Sequence, residues 1–188
     1  MATRDSGKRG EAVIQVKKIP DMTPEFLFGL LHRKHLLTLP ARNNPAILAN
    51  VAVNGDFYAL TEGDQTLAWL IETRGMEPGV LDLALVPEDK VLCQRVVQLA
   101  RLSEELRERW FEKEGWEKIQ VQVAMSRKNT CRSLRALGFV CETRSIGIRK
   151  AVTLNKESEA LMIYGLLPDD PKPAPLSVPE LMMEEAHA

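Results

Sequence analysis

Apolar positions in this chain change period several times, and each change marks a predicted element. Val13, Ile14, Val16 and Ile19 mark a first strand. Thr23 is placed to cap a helix with Pro24 at its first position, where a missing N–H costs nothing. Phe26, Leu27, Leu30 and Leu31 give that helix an apolar face up to about residue 37. Residues 38–45 hold two prolines and two asparagines, the signature of a loop. A meander of strands is predicted next: 47–53, closed by the turn dipeptide Asn54-Gly55, then 57–60 and 66–72 about a turn at 62–64, then 80–86. In the last of these, Leu81, Leu83 and Leu85 share one face, and Asp82 and Ala84 share the other.

Helical spacing returns with Leu92, Val96, Leu99, Leu106 and Trp110, which predict a long helix over 90–114 stopped by Gly115. Ile119, Val121 and Val123 alternate with glutamines and predict a strand with one wetter face. A short helix over 128–137 is bounded by Gly138, with Ser126 and Asn129 placed as its caps. Strands over 140–148 and 160–167 complete the pattern. Beyond it Pro168, Pro171, Pro173, Pro175 and Pro179 favour an extended spacer. Ser177-Val178-Pro179-Glu180 then fits a capping box, so 178–187 is predicted as a short helix carrying Leu181, Met182 and Met183. The chain divides into an N-terminal arm (1–11), one domain (12–167) and a Pro-rich linker with a docking helix (168–188). Mixed element order around one meander places the domain in the α/β class, as a mixed α+β sheet.

Composition narrows the function classes. With 188 residues the chain can bury a core without a metal or disulfide staple. A formal net charge of -1 provides no global attraction to nucleic acid or membrane. Arg127, Lys128, Arg132 and Arg135 form a basic face on the short helix, for a phosphate or for solvent, and no aromatic residues interleave with them. Three cysteines at irregular spacing make no disulfide framework, which points to a reducing, cytoplasmic compartment. No apolar stretch approaches the roughly 20 residues of a spanning helix. His32 and His35 stand three apart, with no third ligand evident, so no metal is expected.

Two stretches carry a family resemblance. The segment from Lys118 through Asn129 to Leu137-Gly138-Phe139 resembles the second half of a GNAT domain, the fold of acyl-CoA-dependent N-acyltransferases. Leu85-Val86-Pro87-Glu88 resembles the end of that family's fourth strand. The resemblance spans about residues 12–167. It implies splayed fourth and fifth strands, a long helix against the sheet, and acetyl-CoA lying in the opening. It also implies a Gly-rich loop whose N–H groups hold the pyrophosphate at the head of the long helix. On this alignment Leu85, Val86, Lys90 and Asn129 fall at cofactor-binding positions. Asp82 falls where a general base could stand, or where a strand side chain simply meets solvent.

The sequence departs from the family at two points. Glu88-Asp89-Lys90-Val91-Leu92-Cys93-Gln94 contains no glycine, so side chains replace bare N–H groups. Leu134 stands where the family often has a tyrosine that protonates the leaving thiolate. The glycine-free helix start with Asn129-Thr130, Leu134 and Gly138 also resembles small GNAT-like proteins of short-tailed bacteriophage particles. The expectation is therefore a GNAT-fold protein that uses no cofactor and acts as an interaction or structural part of a larger assembly, such as a virus particle. The tail residues Leu181, Met182 and Met183 would meet a protein partner or a second copy. The alternative is an acetyl-CoA-dependent N-acetyltransferase with an atypical phosphate loop.

Overall fold

A computed structural model describes residues 13–34, 44–88, 90–124, 126–142, 151–152, 158–159 and 161–172. The predicted tail helix with Leu181, Met182 and Met183, the N-terminal arm and His35 lie outside these residues. Among the described residues no helix is long and apolar enough to cross a membrane.

The chain opens with β1 (Gln15–Ile19) and α1 (Pro24–Arg33). Thr23 caps α1 as its sequence predicts, its hydroxyl accepting from the Phe26 N–H at 3.2 Å. Residues 45–54 depart from expectation: Pro45–Asn54 is a helix, α2, and not a strand. Asn44 accepts from the Ala46 N–H at 3.2 Å and Pro45 occupies the first turn, so the segment starts as a capped helix. Leu48 is buried, while Val53 is 80% exposed. Gly55 is the C-cap of α2, not a hairpin residue, and its N–H donates to the Val51 carbonyl at 2.8 Å.

Three antiparallel strands form the centre: β2 (Asp56–Glu62), β3 (Gln65–Arg74) and β4 (Val80–Pro87). The predicted 90–114 helix is in three parts. A 3-10 turn covers Lys90–Gln94, the helix α3 covers Val96–Arg107, and a π-helical turn covers Glu108–Lys113. Arg95 breaks the first join at φ -91°, ψ 38°, where its guanidinium pairs with Glu62 of β2 at 2.6 Å. The widened π turn brings the consecutive residues Arg109 and Trp110 onto the same Glu72 carboxylate of β3.

The chain continues through β5 (Lys118–Ala124), α4 (Lys128–Ala136) and β6 (Val140–Cys141). It ends with β7 (Ala151–Val152), β8 (Ser158–Glu159) and β9 (Leu161–Leu166). The main sheet runs β1-β2-β3-β4-β5-β9-β6, and β7 pairs separately with β8. Among the described strands only β4 and β5 pair in parallel, joined by the crossover through α3. Of the strand predicted over 140–148, β6 is the described part.

Two cores flank the sheet. Leu81, Leu83 and Leu85 pack on one face with Leu99, Leu106 and Trp110 of the long helical segment. Val86, Phe57 and Ile71 pack on the other with Leu27 and Leu30 of α1 and Leu48 of α2. Each fully buried leucine contributes roughly 1.5–3 kcal/mol of apolar transfer, so these faces fix the strand registers. The observed architecture is the mixed α/β sheet that the sequence predicts.

Candidate functional site

The central opening is built by backbone register. Val80 to Leu83 pair with Lys118 to Val121, and the pairing stops there although both strands continue. The predicted splay therefore begins at Ala84. Residues of a strand send their amide groups alternately to either neighbour. The Val80 carbonyl accepts from the Gly75 N–H and the Glu88 N–H donates to the Leu67 carbonyl, so even-numbered residues of β4 face β3. The N–H and C=O of Leu85 therefore face the opening, with no strand partner among the described residues.

Asp82 sits one pair before the fork, opposite Gln120, and is part-buried. Burial, and then the charge of Glu77, raise its pKa above the usual carboxylate range. Leu85 and Val86 are both buried, one in each core, so their side chains build walls while Leu85 offers backbone. Asn129 is exposed in the first turn of α4. The expectation that it caps this helix is not met: the N-cap is Arg127, which makes no side-chain cap bond. The side chain of Lys90 lies outside the described residues.

The head of α3 differs from a phosphate loop. Leu92 is 1% exposed and Cys93 is 7% exposed, both turned inward. The Arg95 N–H donates to the Leu92 carbonyl at 3.0 Å, which closes the turn on itself. That turn packs against α4, whose inward face carries Thr130, Cys131, Ser133 and Leu134. Leu134 is fully buried, at 0% exposure. The first turn of α3 carries no side-chain cap.

The C-terminal end of α1 crosses the ends of both splayed strands. Lys34 donates through Nζ to the Glu88 carbonyl at 2.6 Å and pairs with its carboxylate at 2.7 Å. Arg127, which follows β5, donates to the Lys34 carbonyl at 2.9 Å. The Glu88 carboxylate also accepts from Arg33 at 3.0 Å and from the Trp69 indole N–H at 2.7 Å. Burial pushes the Glu88 pKa up, but hydrogen bonds from Lys34 and Trp69 and the nearby cations outweigh it and hold it below the usual range. Glu88, the first residue of the glycine-free run, is turned toward α1.

Three further groups escaped the sequence reading. Glu72 is 4% exposed and accepts from Trp110 Nε1 at 2.9 Å and from Arg109. Burial raises its pKa to about 7, against the lowering charge of Arg109. Tyr164 of β9 is fully buried, and its hydroxyl has no hydrogen-bond partner among the described residues. Burial, and then the Cys131 thiol, raise its pKa to about 12; the thiol acts at close range but outside hydrogen-bond geometry. Arg107 donates to the carbonyls of Leu167, Pro168 and Asp170 at 3.2, 3.0 and 2.5 Å, so the start of the Pro-rich segment is tied to its own domain. His32 stacks on Phe28 at 5.7 Å, and no metal-holding cluster occurs among the described residues.

No family model and no curated protein matches the chain. Solved structures do. A spermidine N-acetyltransferase from Vibrio cholerae aligns over 82% of this chain and 94% of its own, with 10% identity and a TM-score of 0.56. A Bacillus subtilis acetyltransferase in complex with CoA aligns over 82% and 98%, with 12% identity and a TM-score of 0.54. The ribosomal-protein-S5-alanine acetyltransferase from Vibrio fischeri aligns over 85% and 96%, with 12% identity and a TM-score of 0.56. Identities this low speak to architecture alone, and the architecture is that of the GNAT acetyltransferases.

Proposed function

We propose that this chain uses the GNAT fold without its cofactor chemistry, as an interaction or structural part of a larger assembly. The observation that carries this reading is the head of α3. A CoA-binding loop needs backbone N–H groups open to a pyrophosphate. Here a glycine-free turn buries Leu92 and Cys93 and packs against α4. Leu134, at the position where the resemblance implies a proton donor, offers none. The assembly to which the sequence resemblance points is a short-tailed phage particle. The contact would be made by the tail that carries Leu181, Met182 and Met183.

A second reading has its own support. Leu85 offers a backbone edge beyond the last β4–β5 pair, and Asp82, three residues before it, has a raised pKa. These groups suit an acetyl-CoA-dependent N-acetyltransferase with Asp82 as general base, and the uncapped head of α3 suits a phosphate. Calorimetric titration of the full chain with acetyl-CoA separates the two. The first reading expects no saturable binding in the micromolar range, since each lost charge-assisted hydrogen bond forfeits about 1.5–3 kcal/mol. A micromolar Kd would overturn it in favour of the enzyme.

A further inference from the structure

We propose that Glu88 is a built-in stopper, its carboxylate occupying an anion seat at the mouth of the β4–β5 opening that a phosphoryl group would otherwise take. The seat has three donors that converge on one carboxylate: Arg33, Lys34 and the Trp69 indole N–H, at 3.0, 2.7 and 2.7 Å. Trp69 is itself held by Phe26, edge to face at 5.3 Å, so the indole N–H is aimed by packing. Lys34 also touches the chain leaving β4 through the Glu88 carbonyl, and the chain leaving β5 through Arg127. The stopper therefore does two things at once. It neutralises two cations where a phosphate would need them, and it straps α1 across both lips of the opening.

Two cations and a neutral donor around a single carboxylate are what a phosphate or pyrophosphate would also require. Glu88 is tethered to β4 only one residue past its end, so its effective concentration at the seat is high and an outside anion competes poorly. Its side chain is 23% exposed and that of Lys34 is 20% exposed, so the seat stays within reach of solvent. This inference rests on the reading that the opening is closed to CoA, and it names what closes it.

The test is Glu88→Gln, titrated beside the unaltered chain with CoA and, separately, with inorganic pyrophosphate. The amide keeps the shape and removes the charge. Both ligands should bind about tenfold or more tighter to the variant, because Lys34 and Arg33 then face them without a built-in competitor. The double variant E88Q/K34M should lose that gain. A gain for pyrophosphate alone still supports the seat. A gain for CoA alone assigns the effect to the pantetheine arm and overturns it, and equal titrations with both ligands overturn it outright. If E88Q does not fold, Glu88→Asp, which shortens the reach by one methylene, is read in the same way, with a smaller gain expected and equality again decisive. Micromolar acetyl-CoA binding by the unaltered chain would instead remove the reading on which the stopper rests, so the two failures are distinct.

Discussion

Arg107→Met tests whether the segment after β9 belongs to the domain. Arg107 is 7% exposed, and one of its terminal nitrogens faces the carbonyls of Leu167, Pro168 and Asp170. That nitrogen has two hydrogens, so at most two of the three contacts are full hydrogen bonds. At about 1.5 kcal/mol each for a charged donor, they contribute about 3 kcal/mol. The other terminal nitrogen is buried without a partner among the described residues, which costs about 1–3 kcal/mol. The net contribution is therefore at most about 2 kcal/mol, and the freed carbonyls at 167–170 regain water. Methionine keeps much of the apolar stem and removes both terms. The Tm should fall by no more than about 8 °C, at roughly 2–4 °C per kcal/mol for a chain of this size. The local effect is sharper. Leu167 and Asp170 close a reciprocal pair, with the Leu167 N–H on the Asp170 carboxylate at 2.7 Å and the Asp170 N–H on the Leu167 carbonyl at 3.2 Å. Hydrogen exchange at these two amides should speed up about tenfold, while exchange in β2 and β3 changes only with global stability. Unchanged exchange at 167 and 170 would refute the anchoring role.

Two further substitutions probe the fold elsewhere. Glu72 has a folded pKa raised to about 7 from an ordinary 4.5, so the folded state binds its proton more tightly. This contribution is complete below pH 4.5 and is lost as pH rises through 7, at a cost of up to about 3 kcal/mol. The Tm of E72Q minus that of the unaltered chain should therefore be more positive at pH 8 than at pH 5, and a pH-independent difference sinks the assignment. Gly55→Ala places a methyl 2.7 Å from the Val51 carbonyl oxygen and 3.2 Å from that of Glu72, both backbone atoms. It should cost about 1–3 kcal/mol in urea unfolding with the m-value unchanged, and a neutral result would mean that α2 shifts freely against β3.

What the sequence made legible was periodic. β4 and β5 alternate clearly enough to be found by pattern, β2 and β3 are near-continuous apolar runs bounded by turn residues, and the fork followed once the order placed 80–86 beside 118–124. The strand expected over 47–53 took the apolar residues together with the Asn54-Gly55 dipeptide as hairpin signals, and the segment is a helix. The correct signal was Asn44-Pro45, the same cap-and-proline pair that located α1 from Thr23-Pro24. The interruptions of the 90–114 helix were not legible, because Arg95 and Arg109 look like any solvated helix charge until Glu62 and Glu72 are placed opposite them. The strap is harder still. Its contacts join residues 54 and 93 positions apart, which no local pattern encodes.

The charged residues hidden from the sequence bear on whether the opening could admit a cofactor by yielding. Carboxylates from neighbouring strands hold the long helical segment at both ends: Glu62 takes Arg95 at its head, and Glu72 takes Arg109 and Trp110 at its foot. Both carboxylates are largely buried, with side chains 15% and 3% exposed, so separating either pair strands a charge in a dry site. Breaking one such pair costs about 3–5 kcal/mol. A cofactor that had to prise the head of α3 from β2 would forfeit that much affinity, roughly two to three and a half powers of ten, before making a single contact. The Glu88 strap is more open on the carboxylate side, at 23% exposed, and its partner Arg33, at 61% exposed, rehydrates readily when released. On the proposed reading Glu88 is the easier of the two locks to release, because its carboxylate is the less buried one. On that reading, restoring glycines to 88–94 while Glu62 still grips Arg95 would leave the turn closed on itself and its N–H groups turned away from a pyrophosphate.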